Sequence, residues 1–98
     1  MIFPADVARA VLAGEVEATC RPPMHRNGHA LAYRVGGVYP VQPGRFQAHI
    51  GHVRVRDIEY ASTEALRADA SWDVPESYSG LLAVLYLEPA ERCPRCAP

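Results

Sequence analysis

The run Leu81-Leu82-Ala83-Val84-Leu85-Tyr86-Leu87 constrains this chain more than any other stretch. It is continuously apolar, so it lacks the alternation of a strand with one wet face. It is also far shorter than the roughly 18 apolar residues of a membrane span. The run predicts a central strand buried on both faces. A chain of 98 residues, 49% of them hydrophobic, can supply a modest core around such a strand. Domains of this size bury about 60–68% of their unfolded surface and can do without disulfide staples. One domain is expected from the length.

Pro4 to Ala13 predicts a helix. Proline suits a first turn, Asp6 suits the positive end of the helix dipole, and Gly14 suits the stop. Val7, Ala10 and Val11 form its narrow core-facing stripe. Glu15 to Arg21 alternates and reads as a strand. Pro22 to Gly28 reads as a loop and His29 to Arg34 as a weak second strand. Val35-Gly36-Gly37 and Gln42-Pro43-Gly44 read as turns around a short strand, Val38 to Val41, which Pro40 assigns to a sheet edge. Phe46 to Tyr60 is the longest β-like stretch. Val53 and Val55 share a parity that Ile58 and Tyr60 do not, which predicts a bulge or bend near Asp57, or the end of the strand. Ser62 to Ala70 reads as a helix with a hydroxyl cap. The expected fold is α+β, mainly β: a small curled sheet or partly closed barrel with one or two packed helices. The domain is assigned to residues 1–88, and the proline-rich residues 89–98 to a flexible tail.

Charge narrows the chemistry. Net charge is −1, so any grip on a polyanion must come from a local cluster. All ten basic residues are arginine and none is lysine, which excludes a lysine Schiff base or lysine general base. Neither a signal peptide nor a membrane span is legible, and three cysteines make an unlikely disulfide framework. A cytoplasmic protein is the expectation.

On the strand Glu15–Arg21, alternation places Glu17, Thr19 and Arg21 on one face and Val16, Ala18 and Cys20 on the other. If the polar face lines a cleft, Arg21 can grip a phosphate or carboxylate through two parallel hydrogen bonds. Thr19 can meet a base edge and Glu17 an exocyclic amine. The alternative is a solvated face whose Arg–Glu pairing contributes under about 1 kcal/mol. Arg54 and Arg56, with Arg45 nearby, suggest a basic stripe able to contact consecutive phosphates. Their alternative is the outward face of a half-buried strand. Arg26, beside Asn27, can add a loop contact. Trp72 can stack on a base, or simply belong to the core. Cys20 shares the parity of apolar neighbours and reads as an inert buried thiol.

The histidines and the tail need separate treatment. Cys93-Pro94-Arg95-Cys96 is a C-x-x-C, and two histidines would complete a structural zinc set. His25 and His29 fall in or beside a loop. His49 and His52 are an odd number of residues apart, so a regular strand would point them to opposite faces. The tail pair is therefore read as a loose dithiol, and no metal or cofactor is assigned.

Three segments together resemble the ASCH family, a branch of the PUA-like superfold. VLAGEVEATCR is similar to the family's opening helix, glycine and strand with G-x-K-x-x-T-x-R, matched by Gly14, Thr19 and Arg21. YRVGGVYPV resembles the turn into the next strand, with Gly37 in place of the usual acid. HVRVRDIEYASTEALRADA resembles the strand, loop and helix that follow. The likeness spans residues 3 to 88. It implies a PUA-like partly closed barrel with a cleft, and a role in binding RNA or modified nucleosides. Some members are amidohydrolases acting on acetylcytidine through a lysine, a threonine and a glutamate. Here the lysine position holds Val16, and the acid falls on either Glu64 or Asp69. The reading that follows is a module binding RNA or a nucleoside-like ligand through Glu17, Thr19, Arg21, Arg26, Arg54, Arg56 and Trp72. The alternatives are a nucleoside amidohydrolase with a rebuilt site, and a protein-interaction domain with a C-terminal metal clip.

Overall fold

A computed structural model describes residues 1–23, 33–70, 72 and 74–90. The elements are α1 (Ala5–Leu12), β1 (Ala18–Arg21), β2 (Val38–Val41), β3 (Gly51–Ser62), α2 (Thr63–Ala68) and β4 (Leu81–Ala90). The four strands form one antiparallel sheet in the order β1-β4-β3-β2. The sheet curls into a half-barrel, and the fold is mainly β.

The apolar run occupies the interior position that its composition demands. β4 lies between β1 and β3, and Leu82 through Leu85 are all buried. Its odd residues, Ala83, Leu85 and Leu87, pack with Ala8 and Val11 of α1, Val53 and Val55 of β3, Val41, Met1 and Phe3. Its even residues, Leu82 and Val84, pack on the other side with Cys20 and with Leu66 of α2. Alternation along a strand sends neighbours to opposite faces, so each face of the sheet has its own core and its own helix.

The parity shift in β3 is a bulge. Val55 pairs with Leu87 and Asp57 with Tyr86, which leaves Arg56 as the extra residue. The insertion returns Ile58 to the cluster that holds Val53 and Val55. The Asp57 carboxylate accepts from the Ile58 amide at 2.9 Å and fixes the local turn. Ser62 caps α2 through its hydroxyl, which accepts from the Ala65 amide at 3.1 Å.

Three strand boundaries differ from the sequence reading by three residues or more. β1 begins at Ala18 rather than Glu15, and Val16 packs with the α1-side cluster instead of sharing a face with Cys20. β3 begins at Gly51 rather than Phe46. Phe46 takes a left-handed backbone with φ 64° in a turn after Gly44, which a continuing strand cannot accommodate. β4 runs to Ala90, because Pro89 and Ala90 pair with Val53 and His52. The expected loop 22–28 and strand 29–34 fall mostly outside the described residues, as do Arg26 and residues 91–98.

β2 is an edge strand, as Pro40 required. Met1 donates its amine to the Pro40 carbonyl at 2.8 Å, and Ile2 bridges to Gln42, so the N-terminal residues lie along that edge. Gly51 permits a close approach there: a Cβ at this position would lie 2.7 Å from Leu12 of α1.

Candidate functional site

β1 is the other edge strand among the described residues, and a groove of about 370 Å³ wraps around it. One wall comes from the start of α1, through Phe3, Pro4 and Val7. The opposite wall comes from the segment between α2 and β4, through Trp72, Pro75 and Tyr78. β1 itself, with Thr19 and Arg21, forms the floor. The register explains why both faces of one strand meet the groove. Thr19 and Arg21 lie opposite Leu85 and Ala83 on the α1 side, while Ala18 and Cys20 lie opposite Tyr86 and Val84 on the α2 side. A cleft astride a sheet edge touches both.

Arg21 is held in place by two contacts within the chain. Its Nη2 donates to the Ile2 carbonyl at 2.9 Å, and its guanidinium carbon lies 4.9 Å from the centroid of the Phe3 ring. Such a stacked cation is stabilised by about 0.5–2 kcal/mol, depending on desolvation. A guanidinium carries five N–H donors, so one carbonyl leaves it capacity for an anion. Its field reaches its neighbours. Burial first, and then the charge of Arg21, lower the pKa of the Met1 amine. Burial raises that of the Tyr33 phenol, and Arg21 opposes the rise.

The second wall depends on a residue that the sequence reading passed over. Arg67 of α2 points its Nη2 at the carbonyls of Pro75, Tyr78 and Glu76, at 2.9, 3.0 and 3.3 Å. Its two protons are shared among three acceptors, which ties the segment carrying Pro75 and Tyr78 to α2. The Trp72 amide donates to the Asp69 carbonyl at 3.1 Å and sets where the indole enters. Trp72 is half-buried against the cluster of Cys20, Leu66, Leu82 and Val84. It is therefore both a core side chain and part of the groove wall. Phe3, Tyr78 and Arg67 left no sequence signal of a site, because their roles arise from contacts between distant segments.

The other candidates lie elsewhere. Glu17 is exposed just before β1, its carbonyl accepts from the Leu87 amide at 2.7 Å, and it does not line the groove. Arg54 pairs with Glu88 at 3.5 Å, with both side chains about half exposed. Arg56 lies over the Tyr86 ring at 5.5 Å, and the Tyr86 hydroxyl donates to Glu59 at 2.9 Å. Arg54 thus has an acidic partner, Arg56 an aromatic one, and neither arginine lines the groove. Arg26 lies outside the described residues.

Among the described lining residues Arg21 is the sole charged side chain, and no carboxylate or imidazole stands beside Thr19. Cys20 is a buried thiol. No three His, Cys, Asp or Glu side chains among the described residues converge as a metal site. Also among the described residues, no helix is long and apolar enough to cross a membrane. Compared with family models, curated proteins and solved structures, the chain matches none.

Proposed function

We propose that this chain is an ASCH-like module of the PUA type that binds RNA or a nucleoside-like ligand in the groove around β1. The observation that carries the reading is the meeting of Thr19, Arg21, Trp72 and Tyr78 around one open groove of about 370 Å³. That size falls at the lower end of the roughly 300–1,000 Å³ typical of small-ligand sites. Trp72 and Tyr78 offer ring faces for a base, and base–aromatic stacking contributes about 1–3 kcal/mol. Arg21 offers fixed donors for a phosphate, and Thr19 can donate to or accept from a base edge. Binding is favoured over acyl transfer because a threonine hydroxyl needs an adjacent base to become a nucleophile.

Trp72 is the sole tryptophan, so its fluorescence reports on the groove directly. Titration with short single-stranded RNA and with nucleoside monophosphates at low salt is expected to quench it. Arg21→Ala should weaken binding about tenfold or more, consistent with losing a charge-assisted contact. Contact with one or two phosphates predicts a shallow salt slope, about −0.7 per phosphate in log–log form. Absence of quenching at low salt by any of these ligands, or equal affinity in the Arg21→Ala variant, refutes the assignment.

A further inference from the structure

We propose that the loop 44–50, with Arg45 and Phe46 at its tip, is a second contact point for a single-stranded nucleic acid that also occupies the groove around β1. The ligand is then a strand of several nucleotides, not a lone nucleoside. This rests on the groove reading above and extends it. The starting point is Phe46. The Gln47 amide donates to the Gly44 carbonyl at 3.2 Å, which closes a turn with Arg45 and Phe46 at its centre. Phe46 takes the third position of that turn with φ 64°, where a positive φ favours glycine. It is also 95% exposed. A bulky side chain in the left-handed region strains the backbone, and a ring in water leaves apolar surface unburied. Such strain persists only where the surroundings over-determine it. Here Gln42 Nε2 donates to the Gln47 carbonyl at 2.9 Å, and the Ile50 amide donates to the Val41 carbonyl at 2.9 Å. The loop thus presents a ring outward at a fixed place, which is what a stacking platform requires.

Charge says what would stack there. Residues 18–56 contain Arg21, Arg26, Arg34, Arg45, Arg54 and Arg56, and no Asp or Glu. The rest of the chain holds the other four arginines and all eleven acids. The net charge of −1 therefore conceals a cationic segment beside an acidic remainder. Arg54 pairs with Glu88, whereas Arg45 is exposed and, among the described residues, no carboxylate pairs with it. A cation next to an exposed ring matches the repeating unit of a nucleic-acid strand, a phosphate beside a flat base. The loop is tied to the groove although β1 and β2 are opposite edges of the sheet. Residues 1–3 link the two. Arg21 of β1 donates to the Ile2 carbonyl at 2.9 Å, and the Phe3 amide of the groove wall donates to the Gln42 carbonyl at 3.0 Å. Gln42 in turn holds Gln47, the neighbour of Phe46. Ile2 bridges to Gln42, a strand spacing of about 4.8 Å. Single-strand sites on small β folds take about 4–16 nucleotides, enough to cover groove and loop together. An anionic membrane could also meet Arg45 and Phe46, but this continuity with the groove favours the strand.

The test uses the full chain and two ligands. A nucleoside monophosphate is read by quenching of Trp72, and an end-labelled single-stranded RNA of about eight nucleotides by fluorescence anisotropy. The RNA is expected to bind about tenfold or more tighter than the monophosphate. Phe46→Ala should weaken the RNA about fivefold or more and leave the monophosphate unchanged, while Phe46→Tyr keeps the affinity of the parent. Arg45→Ala should reduce the log–log salt slope of RNA binding by about 0.7, one phosphate contact. Both side chains are exposed, so neither variant disturbs the core. RNA that binds no tighter than the monophosphate, or equally well to the parent, Phe46→Ala and Arg45→Ala, overturns the inference and leaves the groove reading standing. No response to either ligand ends both. RNA binding that survives Arg21→Ala but not Phe46→Ala puts the strand on the loop alone and overturns the shared path. Binding to anionic phospholipid vesicles that needs Phe46, with RNA affinity unmoved by its loss, assigns the loop to a membrane instead.

Discussion

Tyr86 shows how one side chain joins structure to measurable chemistry. Its hydroxyl donates to Glu59, and that hydrogen bond, ahead of burial, raises its pKa above the ordinary phenol value of 10.0. The folded state therefore holds this proton more tightly than the unfolded chain. The resulting stabilisation is fully present below about pH 10 and is lost as pH rises through the raised pKa. Tyr33, raised by burial, acts in the same direction. Glu59→Ala should move the Tyr86 titration, followed by phenolate absorbance, down toward the ordinary value and leave that of Tyr33 in place. Gly14 supplies a second case at this scale. It ends α1 with φ 79°, where an added side chain is strained whatever the space around it. Gly14→Ala is expected to cost about 1–2 kcal/mol in chemical denaturation. The helix stop was legible from Gly14 because a left-handed turn after a helix favours glycine locally.

At the scale of elements, the contacts between segments determine what the site is. The groove's second wall is a connection between α2 and β4, and Arg67 holds it by three backbone carbonyls. Arg67→Ala is expected to speed amide exchange across 75–78 and to reduce affinity in the Trp72 titration several-fold. Its effect on global stability should stay near 1 kcal/mol, since these hydrogen bonds are solvent-exposed. Unchanged exchange in 75–78 would separate this wall from α2 and remove Arg67 from the account. The bulge at Arg56 is the other element-level device. Parity along β3 marked the place but left a bulge, a bend or the strand's end open, and the pairing with β4 decided for the bulge, after which the hydrophobic face resumes on the core side. Where β3 starts was not legible. Phe46 to Ile50 has a strand-like composition, but the turn after Gly44 carries it off the sheet until the Ile50 amide donates to the Val41 carbonyl.

For the molecule as a whole, β4 is the organising element. Its odd and even residues serve two separate clusters, so truncating one should be felt on one face first. Leu85 is fully buried, and Leu85→Ala is expected to cost about 2–5 kcal/mol. Leu81 opens the same apolar run but is 55% exposed, so Leu81→Ala should stay within about 0.5 kcal/mol. Urea denaturation of the two variants compares them directly. A similar loss for both would mean that the run is buried more uniformly than the strand register shows.

Sequence alone determined the features that depend on near neighbours along the chain. These include the helix ending at Gly14, the edge strand marked by Pro40, the parity shift near Asp57, a hydroxyl cap on the second helix and the doubly buried β4. Periodicity, backbone restriction and local hydrogen bonding decide each of them, and all act over a few residues. Tertiary structure decided the rest. It put Thr19 and Arg21 into a groove with Phe3, Trp72 and Tyr78, left Glu17 outside it, and paired Arg54 with Glu88 across the sheet. Alternation says which residues share a face, but not what stands across from that face. Here the walls come from segments some 15 residues before and 50 residues after the floor, and only packing brings such distant stretches together.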